Sequence, residues 1–451
     1  MKTMDLTKGK VLNGILLFAL PIFLSNILQQ LYNLTDVSII GHSMGDDALS
    51  AIGSVSIIYG MFLALLFGMG AGISIVTARF FGAKDEKNLK RSVANTIVLA
   101  LVWIVIITLA ANLALKPLMR YINIPEAVFE EAYSYISVLV RLMVFSFAYN
   151  VMSGMLRAIG NSKAPLCFLA ISVTTNILLD ILFVAILHKG LAGAAYATVA
   201  AQALSAFVCF IYIIKKVPLL HITKKDFVIS GRMLADLFSS GLSFGLMFSV
   251  INIGSFILQG AINSMGKTII AAHTSARKIS ELCMMMLNTL ANSMSTFSGQ
   301  NHGAKNYDRI MEGWKKTILM ACGISAFLII LIYTAGDPMV RLVSGSSTEK
   351  LISTALFYLR LDLPFYFILS VLFVSRNTLQ GMGAKITPII ASIMELVLKY
   401  FTAKYLAVRL GYLGIALCEP IIWIICAIYL GIAFGVLYRK RTREVLIKTE
   451  A

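Results

Sequence analysis

Two aspartates, Asp36 and Asp180, sit deep inside long apolar stretches of the chain. A carboxylate there costs at least about 2.5–3.5 kcal/mol at the centre of a bilayer, so such a group faces an interior or a wet cavity. Asn176 lies four residues before Asp180 and shares its helical face. Gln29, Asn33 and Asp36 recur at i, i+4 and i+7, a polar stripe on one face of a helix. Thr198 lies near the start of the following apolar stretch. Counted from the stretch ends at about 1.5 Å per residue, Asp36, Asp180 and Thr198 share one depth. No Lys or Arg of this half reaches that depth except Arg141. Two carboxylates without a basic partner want protons or a metal cation, which suits a group that loads and releases an ion.

The stretches that must position these residues span nearly the whole chain. Of 451 residues 58% are apolar and only 14% charged, against about 25% charged in soluble domains. This excludes a soluble globular protein, a disordered one and a nucleic-acid binder. Apolar runs near 12–40, 48–78, 92–115, 132–156, 164–187, 191–214, 236–262, 269–298, 317–335, 351–379, 386–403 and 412–438 predict twelve membrane-spanning helices. None alternates with period two, which excludes a β-barrel. With both termini cytoplasmic, the inner segments hold 25 Lys/Arg and the outer loops 8. That bias fixes the orientation and places the net charge of +17 against anionic headgroups.

The chain repeats itself. Ser43-Met44-Gly45 matches Ser264-Met265-Gly266, and Gly82-Ala83-Lys84 matches Gly303-Ala304-Lys305. Pro117 matches Pro338, Gly160 matches Gly383, and Gly190 matches Gly411. Each half holds six spans, so the repeats are parallel, as in transporters whose two bundles rock about a central cleft. The expected fold is an all-α polytopic membrane protein, twelve transmembrane helices in two pseudo-symmetric six-helix lobes. The expected lobes are 1–220 and 221–451.

The second half differs in its charges. Ile257 stands where Asp36 would be and Glu419 where Thr198 would be. Glu395 and Lys399, four apart, read as a helical ion pair, as do Arg277 and Glu281. A structural network and a substrate site fit these charges equally; Glu281 and Glu419 are the ones that could touch a cationic substrate. Lys278, Arg360, Asp362 and Arg376 complete the set in these spans, and the five His read as scattered at or near loops.

No enzyme constellation emerges. Gly266-Lys267-Thr268 lacks the earlier glycine of a phosphate loop, because position 261 is Ala261. The six Cys lie in apolar stretches with no C-x-x-C spacing. Neither a catalytic group nor a cofactor is expected.

Taken together, Pro21 with Asp36, the run Ala78-Arg79-Phe80-Phe81-Gly82-Ala83-Lys84, Arg157-Ala158-Ile159-Gly160-Asn161, Asn176 with Asp180, Gly193 to Thr198 and Gly299-Gln300-Asn301 are distinctive. The chain resembles the multidrug and toxic compound extrusion (MATE) transporters over its whole length, and within them the prokaryotic branch named for DNA-damage-inducible protein F. The resemblance implies a bacterial inner-membrane antiporter that exports organic cations or amphipathic drugs in exchange for H+ or Na+. It implies a cation or proton site at Asp36, Asn176, Asp180 and Thr198, with Na+ held at Asp36 and Asp180 if Na+ is the ion, and a first-helix bend at Pro21. Gln29, Asn33, Glu281 and Glu419 are the expected substrate contacts. The expected partners are small-molecule drugs and membrane lipid, with no nucleic acid, and the protein is expected as a monomer. The alternative is a flippase or exporter of a lipid-linked or polysaccharide precursor.

Overall fold

The computed structural model describes residues 3–450, and their side chains except at 46, 251, 252, 255, 256 and 448–450. Among the described residues the chain is helical almost throughout, without strands. The helices are α1 Val11–Met44, α2 Asp46–Gly82, α3 Glu86–Tyr121, α4 Glu126–Arg141, α5 Val144–Ala158, α6 Lys163–Asp180, α7 Gly190–Lys216, α8 Gly231–Asn263, α9 Lys267–Gly303, α10 Tyr307–Ser344, α11 Glu349–Asp362, α12 Tyr366–Gly381, α13 Ile386–Phe401, α14 Ala407–Leu410 and α15 Tyr412–Glu450. One π-helical segment, Ile181–Ile186, continues α6, and another, Thr402–Leu406, continues α13.

Ten helical stretches are long and apolar enough to cross a bilayer singly, and α4 with α5, bent by 44°, makes an eleventh. The twelfth span is α9. Its 37 residues reach well beyond the roughly 30 Å of a bilayer core. It is less apolar because it carries His273, Arg277, Lys278 and Glu281. The exposed side chains elsewhere are what lipid requires: α3 turns Leu101, Val105, Leu109 and Leu113 outward on successive turns.

The repeat seen in the sequence is written into the backbone. Positive φ recurs at Gly45 and Gly266, Lys84 and Lys305, Gly160 and Gly383, and Gly190 and Gly411. The side chains of Asp85 and Asn306 each cap the next helix, accepting from Asn88 N and Arg309 N. Both halves carry a π segment after their fifth span. Gly160 has the least freedom: a Cβ there would stand 1.9 Å from the Met4 carbonyl, whose own amide donates to Gly160 O at 3.3 Å.

Two compact units form. The first holds the described residues up to Asp5 and Leu20–Gly245; the second holds Leu6–Ala19 and everything from Leu246 onward. The loop near 220, where the sequence suggests a boundary, thus lies within the first unit. The physical reason is the first half of α8, which packs tightly on α2. A Cβ on Gly68 would meet Gly245 backbone at 2.3 Å, and one on Gly72 would meet Ser240 at 2.3 Å. On α1 the division falls between Ala19 and Leu20, one residue before Pro21. Pro21 sits inside a continuous helix, and its carbonyl accepts from Ser25 Oγ at 2.8 Å. The earlier segment belongs to the second unit, where Leu6 N donates to Gln300 Oε1 at 2.9 Å and Asn301 Nδ2 donates to Leu6 O at 3.2 Å. Arg309 clamps the same segment through the carbonyls of Leu6, Gly9 and Lys8, at 3.1, 2.8 and 2.6 Å.

Candidate functional site

In the first unit, α1, α6 and α7 bring the polar residues of the apolar stretches toward one another. Asp36 is 9% exposed, and Asn176 and Asp180 are fully buried. The Asp36 and Asp180 carboxyl groups lie near enough to act on each other's charge, and Asn176 precedes Asp180 by one turn of α6. Yet Asp36 Oδ1, both Asp180 oxygens and both polar atoms of the Asn176 amide lack a donor or acceptor at standard geometry. Carboxylates supply only lone pairs, so two of them facing each other have no proton to share unless one is brought in. Among the described residues neither aspartate forms a salt bridge. Arg141, the one cation the sequence left at this depth, is exposed, and its Nε points to Asn112 Oδ1 at 3.4 Å.

Backbone geometry singles out Asp180 as well. It is the last residue of α6, and the π segment begins at the next residue. π-Bulges inside helices are frequent at functional sites.

Thr198 joins the site indirectly. Its Oγ1 accepts from Tyr32 Oη at 3.2 Å, and Tyr32 is one turn before Asp36 on α1. Tyr32 and the buried Tyr135 of α4 both feel the charges of Asp36 and Asp180. The sequence reading missed both tyrosines. The i, i+4 spacing of Tyr32 and Asp36 was the available signal, masked by the abundance of aromatic residues. Gln29 and Asn33 pair with each other instead, Nε2 to Oδ1 at 3.5 Å, in an exposed position on α1.

The oxygens near one another here are two carboxyl groups and an amide, with the Thr198 hydroxyl linked through Tyr32. Such a hard, oxygen-only set suits a proton or an alkali cation rather than a transition metal. Among the described residues no group of three or more His, Cys, Asp and Glu is placed to hold a metal ion.

The second unit wires its charges differently from the helical pairs that spacing suggests. Glu395 pairs across to Arg376 of α12, not along α13 to Lys399. Lys399 pairs instead with Glu419 of α15, Nζ to Oε1 at 3.0 Å, and both are more than 90% buried. Glu395 and Lys399 leave α13 in different directions, so the charge each one meets lies on a neighbouring helix, α12 for Glu395 and α15 for Lys399. Arg277 stands 3.8 Å from Glu281 and 3.9 Å from Glu419, beyond hydrogen-bonding distance of either. Glu281 is 61% exposed at its side chain. His273 corrects the reading of loop histidines: it is buried within α9, edge-on to Tyr358 and Tyr412, with Nδ1 3.2 Å from Tyr412 Oη. Asp236, at the entry of α8, is held by Arg79 at 2.9 Å.

Known proteins share this architecture. A crystal structure of a MATE transporter in complex with MaL6 superposes with a TM-score of 0.90, at 24% identity, over 98% of this chain and all of that one. The probable multidrug resistance protein YpnP of Bacillus subtilis is 28% identical over 96% of this chain and 98% of its own length. DNA damage-inducible protein F of Escherichia coli is 28% identical over 72% of each chain. The MatE family model matches twice, over residues 21–182 and 243–404, once in each half of the repeat. The chain belongs to the MatE family of membrane transporters.

Proposed function

We propose that the protein is a secondary active antiporter of a bacterial inner membrane, with both termini cytoplasmic, exporting organic cations or amphipathic drugs in exchange for H+ or Na+. The observation that carries this reading is the Asp36–Asp180 pair, buried and, among the described residues, without an ion-pair partner. The multidrug relatives support the substrate class. Asp36 and Asp180 hold the incoming ion, Asn176 lends an amide oxygen, and Thr198 is positioned through Tyr32. Ion entry changes the charge of the site. An ion bound more tightly in one conformation than in the other shifts the population toward substrate release, with no force needed beyond that difference in affinity. Pro21 is the proposed hinge on α1. Half-buried Gln29 and exposed Asn33 and Glu281 are the proposed polar contacts for substrate; Glu419 is already held by Lys399.

The test is transport of a fluorescent organic cation by purified protein in liposomes, under a pH gradient and then a Na+ gradient, one at a time. Transport driven by one gradient and not the other supports antiport and names the ion. Silence under both overturns this reading and directs attention to lipid-linked precursors.

A further inference from the structure

A cavity of about 270 Å³ lies within the second unit, and its wall carries Arg277, Arg376 and Lys399 against Glu395 and Glu419. We propose that it binds the anionic head, carboxylate or phosphate, of an amphipathic molecule.

The argument is one of unused donors. Each carboxylate in the wall already has a cation: Glu395 is held by Arg376 and Glu419 by Lys399 at 3.0 Å. A cationic ligand would have to displace a built-in one. The donors are not exhausted. Arg376 is 3% exposed, and its Nε is buried without a partner. Arg277 Nη1 is buried too, and stops 3.9 Å from Glu419, a carboxylate that Lys399 already occupies. Three cations against two carboxylates leave one positive charge and two unfilled N–H groups, the complement of an anion's lone pairs. Buried donors left this way are costly in a structure that gives them no use.

Size and lining define the rest of the ligand. About 270 Å³ corresponds to roughly nine waters at about 30 Å³ each, room for a head and its first carbons and not for a whole drug-sized molecule. Trp423, Phe248 and Met284 supply an apolar flank for the attached chain. Arg277 and Glu419 also line a second cavity of about 320 Å³ between α8, α9 and α15. Their unbonded pair is therefore a partition that an anion can open by drawing Arg277 inward. Glu281 lines only that second cavity, and Asp362, bonded by Ser280 Oγ at 3.5 Å, lines neither.

The inference goes beyond the cation-antiport reading, and its test uses no ion gradient, so the two can fail separately. The full-length protein in phosphatidylcholine nanodiscs is titrated with three probes sharing one tail: dodecanoate, dodecyl phosphate and dodecyltrimethylammonium. Both anions are expected to bind at least about tenfold more tightly than the ammonium. Their affinity falls in the double variant Arg376→Gln/Glu395→Gln, which preserves the net charge of the wall and strands no buried carboxylate. Arg376→Lys retains part of the binding. Nanodiscs containing phosphatidylglycerol separate the two sources of such a head: competition that the double variant abolishes identifies a lipid, and its absence identifies a free amphiphile. Equal affinity for ammonium and carboxylate in the unaltered protein overturns the proposal, as does unchanged anion binding in the folded double variant.

Discussion

Asp36 of α1 and Asp180 of α6 lie close together inside the first unit, and among the described residues neither forms an ion pair with a basic side chain. Lys399 and Glu419, on the helices that repeat α6 and α7, form instead a closed ion pair. One fold, used twice, thus holds two facing carboxylates without an ion pair in one half, and in the other carboxylates that each have a cation. The proposed coupling site lies in the first unit, because an added cation there would find two carboxylates that no side chain among the described residues neutralises.

Asp36→Asn and Asp180→Asn should each reduce gradient-driven transport to the level of protein-free liposomes while leaving membrane insertion intact. Each should also stabilise the detergent-solubilised protein, by on the order of 1 kcal/mol, because one of two facing carboxylates is gone. Thermal unfolding checks the second effect independently of transport. Full coupled transport in both variants would remove these residues from the ion site.

Lys399→Met strands Glu419 in a buried position. The expected loss of stability is about 3–5 kcal/mol. Lys399→Met combined with Glu419→Gln should recover most of it, since the uncompensated charge is removed. A double-mutant cycle followed by thermal unfolding measures the coupling; additive losses would show that the two side chains act separately.

Arg309→Ala releases three carbonyls of the segment before α1. The partial exposure of these bonds limits the loss to about 1–2 kcal/mol. Hydrogen exchange should rise at residues 6–10 and stay unchanged in α3, which the clamp does not touch.

Asp85 caps α3 in the loop between α2 and α3, accepting from Asn88 N at 3.0 Å and Asn88 Nδ2 at 2.6 Å. The Asn88 backbone N–H foremost, then its side-chain amide, hold this carboxyl below its ordinary 3.8. A depressed native value means that the cap's contribution is present above pH 3.8 and fades as pH falls through the lower native value. Asp85→Ala should lose about 1 kcal/mol at neutral pH. The difference between variant and parent should shrink in strong acid, read by thermal unfolding in detergent across pH.

The twelve spans and the repeat were legible in the one-dimensional pattern because they depend on local properties. A bilayer demands runs of apolar residues of fixed length, and a helix fixes which residues share a face. Asp36, Asn176 and Asp180 were legible for the same reason, since a charge in an apolar run stands out wherever the helix goes. What the sequence alone could not decide is which side chain meets which across helices. Spacing made Glu395 and Lys399 partners; helix rotation and packing gave Glu395 to Arg376 and Lys399 to Glu419. Spacing likewise gave no place to Tyr32, which only the approach of α7 to α1 brings to Thr198. The division on α1 beside Pro21, and the residence of residues 6–19 in the second unit, follow from the Arg309, Gln300 and Asn301 contacts nearly three hundred residues away. Contacts of that range depend on how helices tilt and turn against each other, a property that no local window contains.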